Sequence, residues 1–208
     1  MRFCFFLIPF FSHYAARKIG RKIRINSIKS HKDIREKHGV SPLKFDPRLE
    51  QYATSWCGFM AKRDIFKHSP TKKYGENLYL AVRRADKEGV EITEIVGRAV
   101  KRWWKEILLY DFDSPGYSPE TGHFTLLVWE TVERVGCSAK KAKSRKRPGV
   151  VKTYVCCNYA PVGNIRGEFR NNVFPPLDPA IEPLAGTGGM LEFVQPEAYD
   201  QWAAEQNP

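Results

Sequence analysis

Four side chains, far apart along the polypeptide, have the types needed to build one polar centre: His68, His123, Glu76 and Glu106. An imidazole changes charge near neutral pH and is a ready metal ligand, and a carboxylate beside it can serve as an acid, a base or a further ligand. Each of the four lies next to turn-forming or element-terminal sequence, so they could converge on one cleft. His123 stands in the stretch Gly122-His123-Phe124-Thr125-Leu126-Leu127-Val128-Trp129. Gly122 permits a tight turn. The β-branched, aliphatic and aromatic run at residues 125–129 predicts a strand, with His123 at its entrance.

The elements that must position these groups are legible in part. Residues 25–38 mix polar and apolar side chains at helical spacing, with Gly39 and then Pro42 as stops. Asp46-Pro47 has the chemistry of a helix start, a capping carboxylate followed by proline at the first helical position. Leu49, Tyr52, Ala53, Trp56, Phe59 and Met60 follow at three-four spacing. The segment carrying His68-Ser69-Pro70 and Tyr74-Gly75-Glu76-Asn77-Leu78 reads as a polar loop. Ile92, Ile95, Val96, Ala99, Val100, Trp103 and Ile107 predict a helix over residues 92–108. Glu106 would then lie near a helix C-terminus, where the dipole disfavours a carboxylate.

Residues 110–120 read as a loop, residues 134–138 and 150–157 as strands, and residues 158–176 as a segment punctuated by glycine and proline. Lys140, Lys141, Lys143, Arg145, Lys146 and Arg147 fall between the two strands, on one predicted loop. Such a loop could hold an acidic membrane surface at about 1 kcal/mol per cation when close to it. The alternative is the solvated tip of a hairpin.

A chain of 208 residues suits one well-buried domain with tails. A net charge of +11 favours anionic partners: acidic lipid headgroups, sulfated glycans and, last, nucleic acid. No zinc-finger spacing, glycine-rich phosphate loop or RNA-binding aromatic motif is present, so a specific nucleic-acid partner is not expected. Of the five cysteines, Cys4 lies in an apolar leader. Cys156 and Cys157 are adjacent in a strand and point to opposite faces, so at most one reaches Cys137. Val151, Thr153 and Val155 share the face of Cys157, which makes Cys137 with Cys157 the candidate disulfide; free thiols are the alternative. Residues 3–11 resemble the core of a short secretory signal, although Pro9 interrupts it and a basic run follows; a membrane-surface anchor is the other reading. Residues 1–25 are thus assigned to a signal and basic segment, 26–176 to the domain, and 177–208 to a flexible tail.

Two stretches carry a resemblance to a known family. Residues 122–129 match the Gly-His-Phe-Thr-x-x-Val-Trp signature of the CAP superfamily, which groups cysteine-rich secretory, antigen 5 and plant pathogenesis-related proteins. Cys157-Asn158-Tyr159-Ala160-Pro161-Val162-Gly163-Asn164 matches its second signature. His68-Ser69-Pro70, Gly75-Glu76-Asn77 and Trp103-Trp104-Lys105-Glu106 agree with the remaining blocks, in order. Residues 37–44 and 163–176 are most similar to the Golgi-associated plant pathogenesis-related group. The resemblance implies an α+β fold, a three-layer α-β-α sandwich with a central antiparallel sheet. It further implies that His68, Glu76, Glu106 and His123 line a shared cavity, where His68 and His123 bind zinc or another divalent cation.

Departures from the pattern bear on function. Where the Golgi-associated group has a proposed catalytic serine this chain has Val82, so serine-protease chemistry loses its nucleophile. Leu126 stands where the signature often has glutamine. Arg2 follows Met1 and excludes N-myristoylation. The resulting expectation is a non-enzymatic protein that binds lipid, sterol or an anionic membrane surface, with a homodimer left open. It is expected to be secreted or, alternatively, intracellular and associated with Golgi membranes. The competing expectation is a metal-dependent hydrolase or protease with Glu76 or Glu106 as base.

Overall fold

A computed structural model of the chain describes residues 8–178. Residues 1–7 of the expected leader and 179–208 of the expected tail lie outside the described residues. Helix α1 (Ile8–Lys37) runs without interruption through the domain boundary expected after residue 25. It ends where Gly39 adopts a left-handed φ of 67°, the conformation a helix stop requires. Strand β1 (Lys44–Phe45) leads into α2 (Pro47–Arg63). As the sequence predicts, Asp46 caps that helix, accepting from the N–H groups of Arg48 and Leu49 at 2.8 and 3.3 Å.

Strand β2 (Gly75–Arg84) follows, then α3 (Ile95–Trp104), a 3-10 turn at Lys105–Leu109 and α4 (Gly122–Val128). The chain continues through β3 (Arg134–Lys143), β4 (Val150–Ala160) and α5 (Phe169–Asn172). The sheet order is β1-β3-β4-β2. Its three long strands are antiparallel, but β1 pairs with β3 in parallel over two residues, so the sheet is mixed rather than purely antiparallel.

Side-chain alternation builds two cores from one sheet. Leu78, Leu80, Tyr154 and Cys156 face α2 and pack with Ala53, Cys57 and Met60. Tyr79, Ala81, Val155, Cys157 and Tyr159 face the other way, against Ile34, Val100, Trp103, Phe124 and Trp129. The result is the three-layer α-β-α arrangement. Gly136 lets α2 lie directly on β3, since a Cβ there would stand 2.1 Å from the backbone nitrogen of Glu50.

Two disulfides staple the fold, one within the sheet and one from the sheet to α2. Cys137 and Cys157 are directly opposite in the β3–β4 register and are bonded, as the strand alternation suggested. Cys156, pointing to the other face, is bonded to Cys57 of α2, a pairing the sequence reading did not make.

Four expectations are corrected. Residues 125–129 are not a strand: α4 spans Gly122–Val128, and all seven residues are buried. A run that is apolar on every side has no periodicity to separate helix from strand, so the decision falls to its surroundings. The polar loop ends at Gly75, where β2 begins; seven successive buried residues, Gly75 to Ala81, hide the alternation that would have announced it. The helix predicted over residues 92–108 starts later and tightens into the 3-10 turn that carries Glu106. The six basic residues do not share one loop: β3 extends to Lys143, so Lys140, Lys141 and Lys143 are strand residues and only Arg145, Lys146 and Arg147 occupy the hairpin tip.

What holds α4 in place is an arginine. Arg35 of α1 has no exposed surface. It donates to the carbonyls of Ser41, Leu127, Trp129, Glu130 and Val132 at 2.6 to 3.4 Å. Burial lowers its pKa to about 10, opposed by the charge of Glu130 and by Tyr159. The guanidinium stays charged at neutral pH and closes the C-terminal end of α4, where unpaired carbonyls collect. Replacing Arg35 with Met should leave these carbonyls buried and unsatisfied, lowering stability by about 3–5 kcal/mol in urea unfolding. Arg35→Lys should recover little of that loss, because one ammonium cannot span five acceptors.

Candidate functional site

The four predicted residues form two imidazole–carboxylate pairs. His123 lies in the first turn of α4 and is fully buried. Its Nδ1 donates to Glu106 Oε1 at 2.8 Å. Glu106 Oε2 accepts the backbone N–H groups of His123 and Phe124, both at 3.1 Å. The carboxylate that seemed misplaced at the end of one helix therefore caps the N-terminus of another, where the dipole favours it. His123 is held further by Trp103, whose ring lies nearly parallel at 10°, and by Asn77, which donates to its carbonyl at 3.0 Å.

The second pair is built on the sheet. His68 is carried by the segment after α2, which Trp56 fixes by donating from its indole to the Lys67 carbonyl at 3.0 Å. His68 Nδ1 donates to Glu76 Oε1 at 2.8 Å, and the Ser69 N–H joins the same oxygen at 2.9 Å. Asn158, directly opposite Glu76 on β4, donates to Oε2 at 3.4 Å. Glu76 and Asn77 are consecutive in β2, an edge strand, and each reaches one of the two pairs. The pairs thus flank the same end of β2, though no three of the four residues bring ligand atoms within 4.8 Å of one another among the described residues.

Chemically, the pairs suit metal holding. A carboxylate only accepts, so Nδ1 carries the proton in both rings and Nε2 carries the lone pair of the neutral form. A carboxylate behind the ring fixes the tautomer and raises ligand basicity, the usual support of a metal-bound histidine. Each ring therefore has the chemistry of a ligand for a divalent cation through Nε2. Glu76 and Glu106 are committed to imidazole and backbone N–H groups, which suits orientation better than proton transfer.

The two sequence signatures turn out to touch. Thr125 donates to Asn164 Oδ1 at 2.8 Å, and Asn164 returns a hydrogen bond to the Gly122 carbonyl at 2.9 Å. Leu126 fills the space that glycines at 75 and 163 leave open; a Cβ on either would come within 2.9 Å of it.

The hairpin between β3 and β4 rests on a residue that sequence reasoning missed. Asp64, just past the end of α2 with a left-handed φ of 54°, is 2% exposed. Its carboxylate accepts from the Ser144 hydroxyl at 2.7 Å, from the N–H groups of Arg145 and Lys146 at 2.9 Å, and from the Tyr154 hydroxyl at 3.1 Å. Lys152 completes the cage at 2.6 Å. Lys140, Lys141, Lys143, Arg145, Lys146 and Arg147 remain exposed around this buried anchor. The only signal in the sequence was an aspartate at a helix end, a common surface residue.

Comparison with known proteins agrees with the architecture. The sequence model described as the cysteine-rich secretory protein family, CAP, matches residues 28–159. Golgi-associated plant pathogenesis-related protein 1 of Homo sapiens is 35% identical over 154 residues, covering 72% of this chain and 90% of its own. Pathogenesis-related protein 1A of Nicotiana tabacum is 35% identical over 141 residues, covering 67% and 75%. Among solved structures, that of NaASP2 with Zn2+ superposes with a TM-score of 0.54 at 21% identity, covering 76% of this chain and 87% of that one; this similarity speaks to the fold alone.

Burial by itself would raise the Asp64 pKa, but Lys152, Ser144, the Lys146 N–H and Tyr154 outweigh it and hold the carboxyl well below the usual range. Asp64 therefore stabilises the fold fully above its ordinary pKa near 4, and that contribution is lost as pH falls further toward the folded value. Asp64→Asn should cost about 3 kcal/mol at pH 7. In urea unfolding across a pH series, the gap from the unaltered chain should close below about pH 4.

Proposed function

The chain belongs to the cysteine-rich secretory protein family, CAP, and from that membership we propose that it is a binding protein that docks on acidic membrane surfaces through its β3–β4 hairpin. The observation that carries this reading is the Asp64 anchor. A buried carboxylate fixes the hairpin tip from within, so six exposed cations are presented on a shaped surface rather than a loose loop. Arg145 is braced further by a hydrogen bond from its guanidinium to the Lys62 carbonyl. Acidic lipid headgroups match this surface, since each Lys or Arg near an anionic leaflet contributes about 1 kcal/mol. The two disulfides fit the oxidising compartment that secretion implies.

Sedimentation with vesicles of phosphatidylcholine containing phosphatidylserine should show binding that weakens with salt and is absent for phosphatidylcholine alone. Changing Lys140, Lys141, Lys143, Arg145, Lys146 and Arg147 to Gln should weaken it at least about 100-fold. Unchanged binding after those substitutions would refute the hairpin's part.

A second role, favoured by the carboxylate behind each imidazole, is the holding of a divalent cation by His68 and His123. Titration calorimetry of the disulfide-intact chain should give one Zn2+ per molecule. His68→Ala or His123→Ala should each reduce affinity about tenfold or more. Affinity unchanged from the unaltered chain in both variants would end this reading.

A further inference from the structure

A third histidine lies where neither reading uses it. His31 of α1, Cys137 of β3 and Cys157 of β4 bring a ring nitrogen and two sulfurs within 4.8 Å of one another, the only such set among the described residues. All three are buried, at 0%, 3% and 0% exposure. The sulfurs are joined as a disulfide and cannot ligate in that state.

The imidazole, however, is prepared as a ligand. Nδ1 lies 2.8 Å from the Ser27 carbonyl, which can only accept, so Nδ1 carries the proton and Nε2 the lone pair. Nε2 accepts instead from the Tyr159 hydroxyl at 2.9 Å. Burial lowers the His31 pKa to about 4; the Ser27 carbonyl opposes this and Arg35 reinforces it, so the ring is neutral at pH 7, the form that binds a metal.

We propose that reduction of the Cys137–Cys157 disulfide converts these three side chains into a buried site for a thiophilic divalent cation such as zinc. The first step is a two-electron exchange: an external dithiol gives up two hydrogens and becomes a disulfide, leaving Cys137 and Cys157 as thiols. In the second, the cation displaces both thiol protons to solvent and binds two thiolates and one neutral imidazole. Its two positive charges are matched by two negative ones, so the buried centre carries no net charge.

Thiolates favour zinc over the harder oxygen-seeking cations. Zinc–sulfur and zinc–nitrogen bonds of about 2.3 and 2.0 Å place the ligand atoms about 3.5–3.8 Å apart; the nitrogen and sulfurs already lie within 4.8 Å of one another, and the two bonded sulfurs must move apart once reduced. The β3–β4 register places the two cysteines directly opposite each other, and reduction breaks only the bond between their sulfurs. Tyr159 would give up its contact with Nε2 and keep the longer one, 3.5 Å from Asn77 Nδ2. The Cys57–Cys156 bridge belongs to no such set among the described residues, so reduction there creates no equivalent site.

The test uses the full chain carrying Cys57→Ala and Cys156→Ala, reduced by a phosphine, desalted without oxygen and titrated with Co2+. One equivalent should bind with sulfur-to-cobalt charge-transfer absorption, release two protons, and be displaced by Zn2+. The oxidised chain should lack the band. His31→Gln should weaken binding at least tenfold and Cys137→Ser should abolish the band, while His68→Ala with His123→Ala should leave it unchanged. X-ray absorption of the reduced chain loaded with well under one equivalent of zinc should report two sulfurs and at least one nitrogen. That measurement needs no further substitution and decides the matter if His31→Gln does not fold. A reduced, folded chain without the band, a band indifferent to His31→Gln, or a zinc shell without two sulfurs would overturn the proposal. The disulfide-intact calorimetry of His68 and His123 is untouched by either result.

Discussion

The arrangement depends on a short helix with a charge at each end. α4 is seven residues long and buried throughout, so none of its terminal N–H or carbonyl groups can turn to water. A helix that short does not form by propensity. Glu106 accepts two N–H groups at one end while Arg35 takes carbonyls at the other, and each charge opposes the pole of the dipole it meets. The two charges come from different layers of sequence, α1 and the turn after α3, so α4 is clamped only when both have packed. His123 inherits its position from that clamp: the carboxylate that caps the helix is also the one that orients its ring.

The sheet applies a related economy. Neighbouring residues on one strand serve opposite layers, and the Cys156–Cys157 pair makes this literal. One cysteine ties β4 to α2, the other ties it to β3 on the face of α1. Glu76 and Asn77 repeat the pattern on β2, one reaching His68 and the other His123. A buried polar chain runs from His31 through Tyr159 to Asn77 and on to the His123 carbonyl. Groups of that kind are costly when half satisfied and rigid when complete.

The basic surface follows the same logic in reverse. Cations repel one another, and a hairpin rich in them would splay. Asp64 gathers the backbone of Arg145 and Lys146 and the side chain of Lys152 about one buried carboxylate, leaving the other charges facing outward.

By itself the sequence determined the capped start of α2, the two strands that became β3 and β4, the opposed faces of Cys156 and Cys157, and which two histidines and two glutamates to look for, though not their pairing. Each of these rests on local chemistry: a capping aspartate before proline, a period of two, or a family signature spelled out in consecutive residues. The tertiary structure alone decided that residues 122–128 coil rather than extend, that β2 begins at Gly75, and that Cys156 meets Cys57. It also decided that Asp64 and Arg35 are buried anchors. The reason is physical. A segment buried on all sides has no amphipathic period to read, and a charge becomes an anchor through partners tens of residues away, which no window of sequence contains.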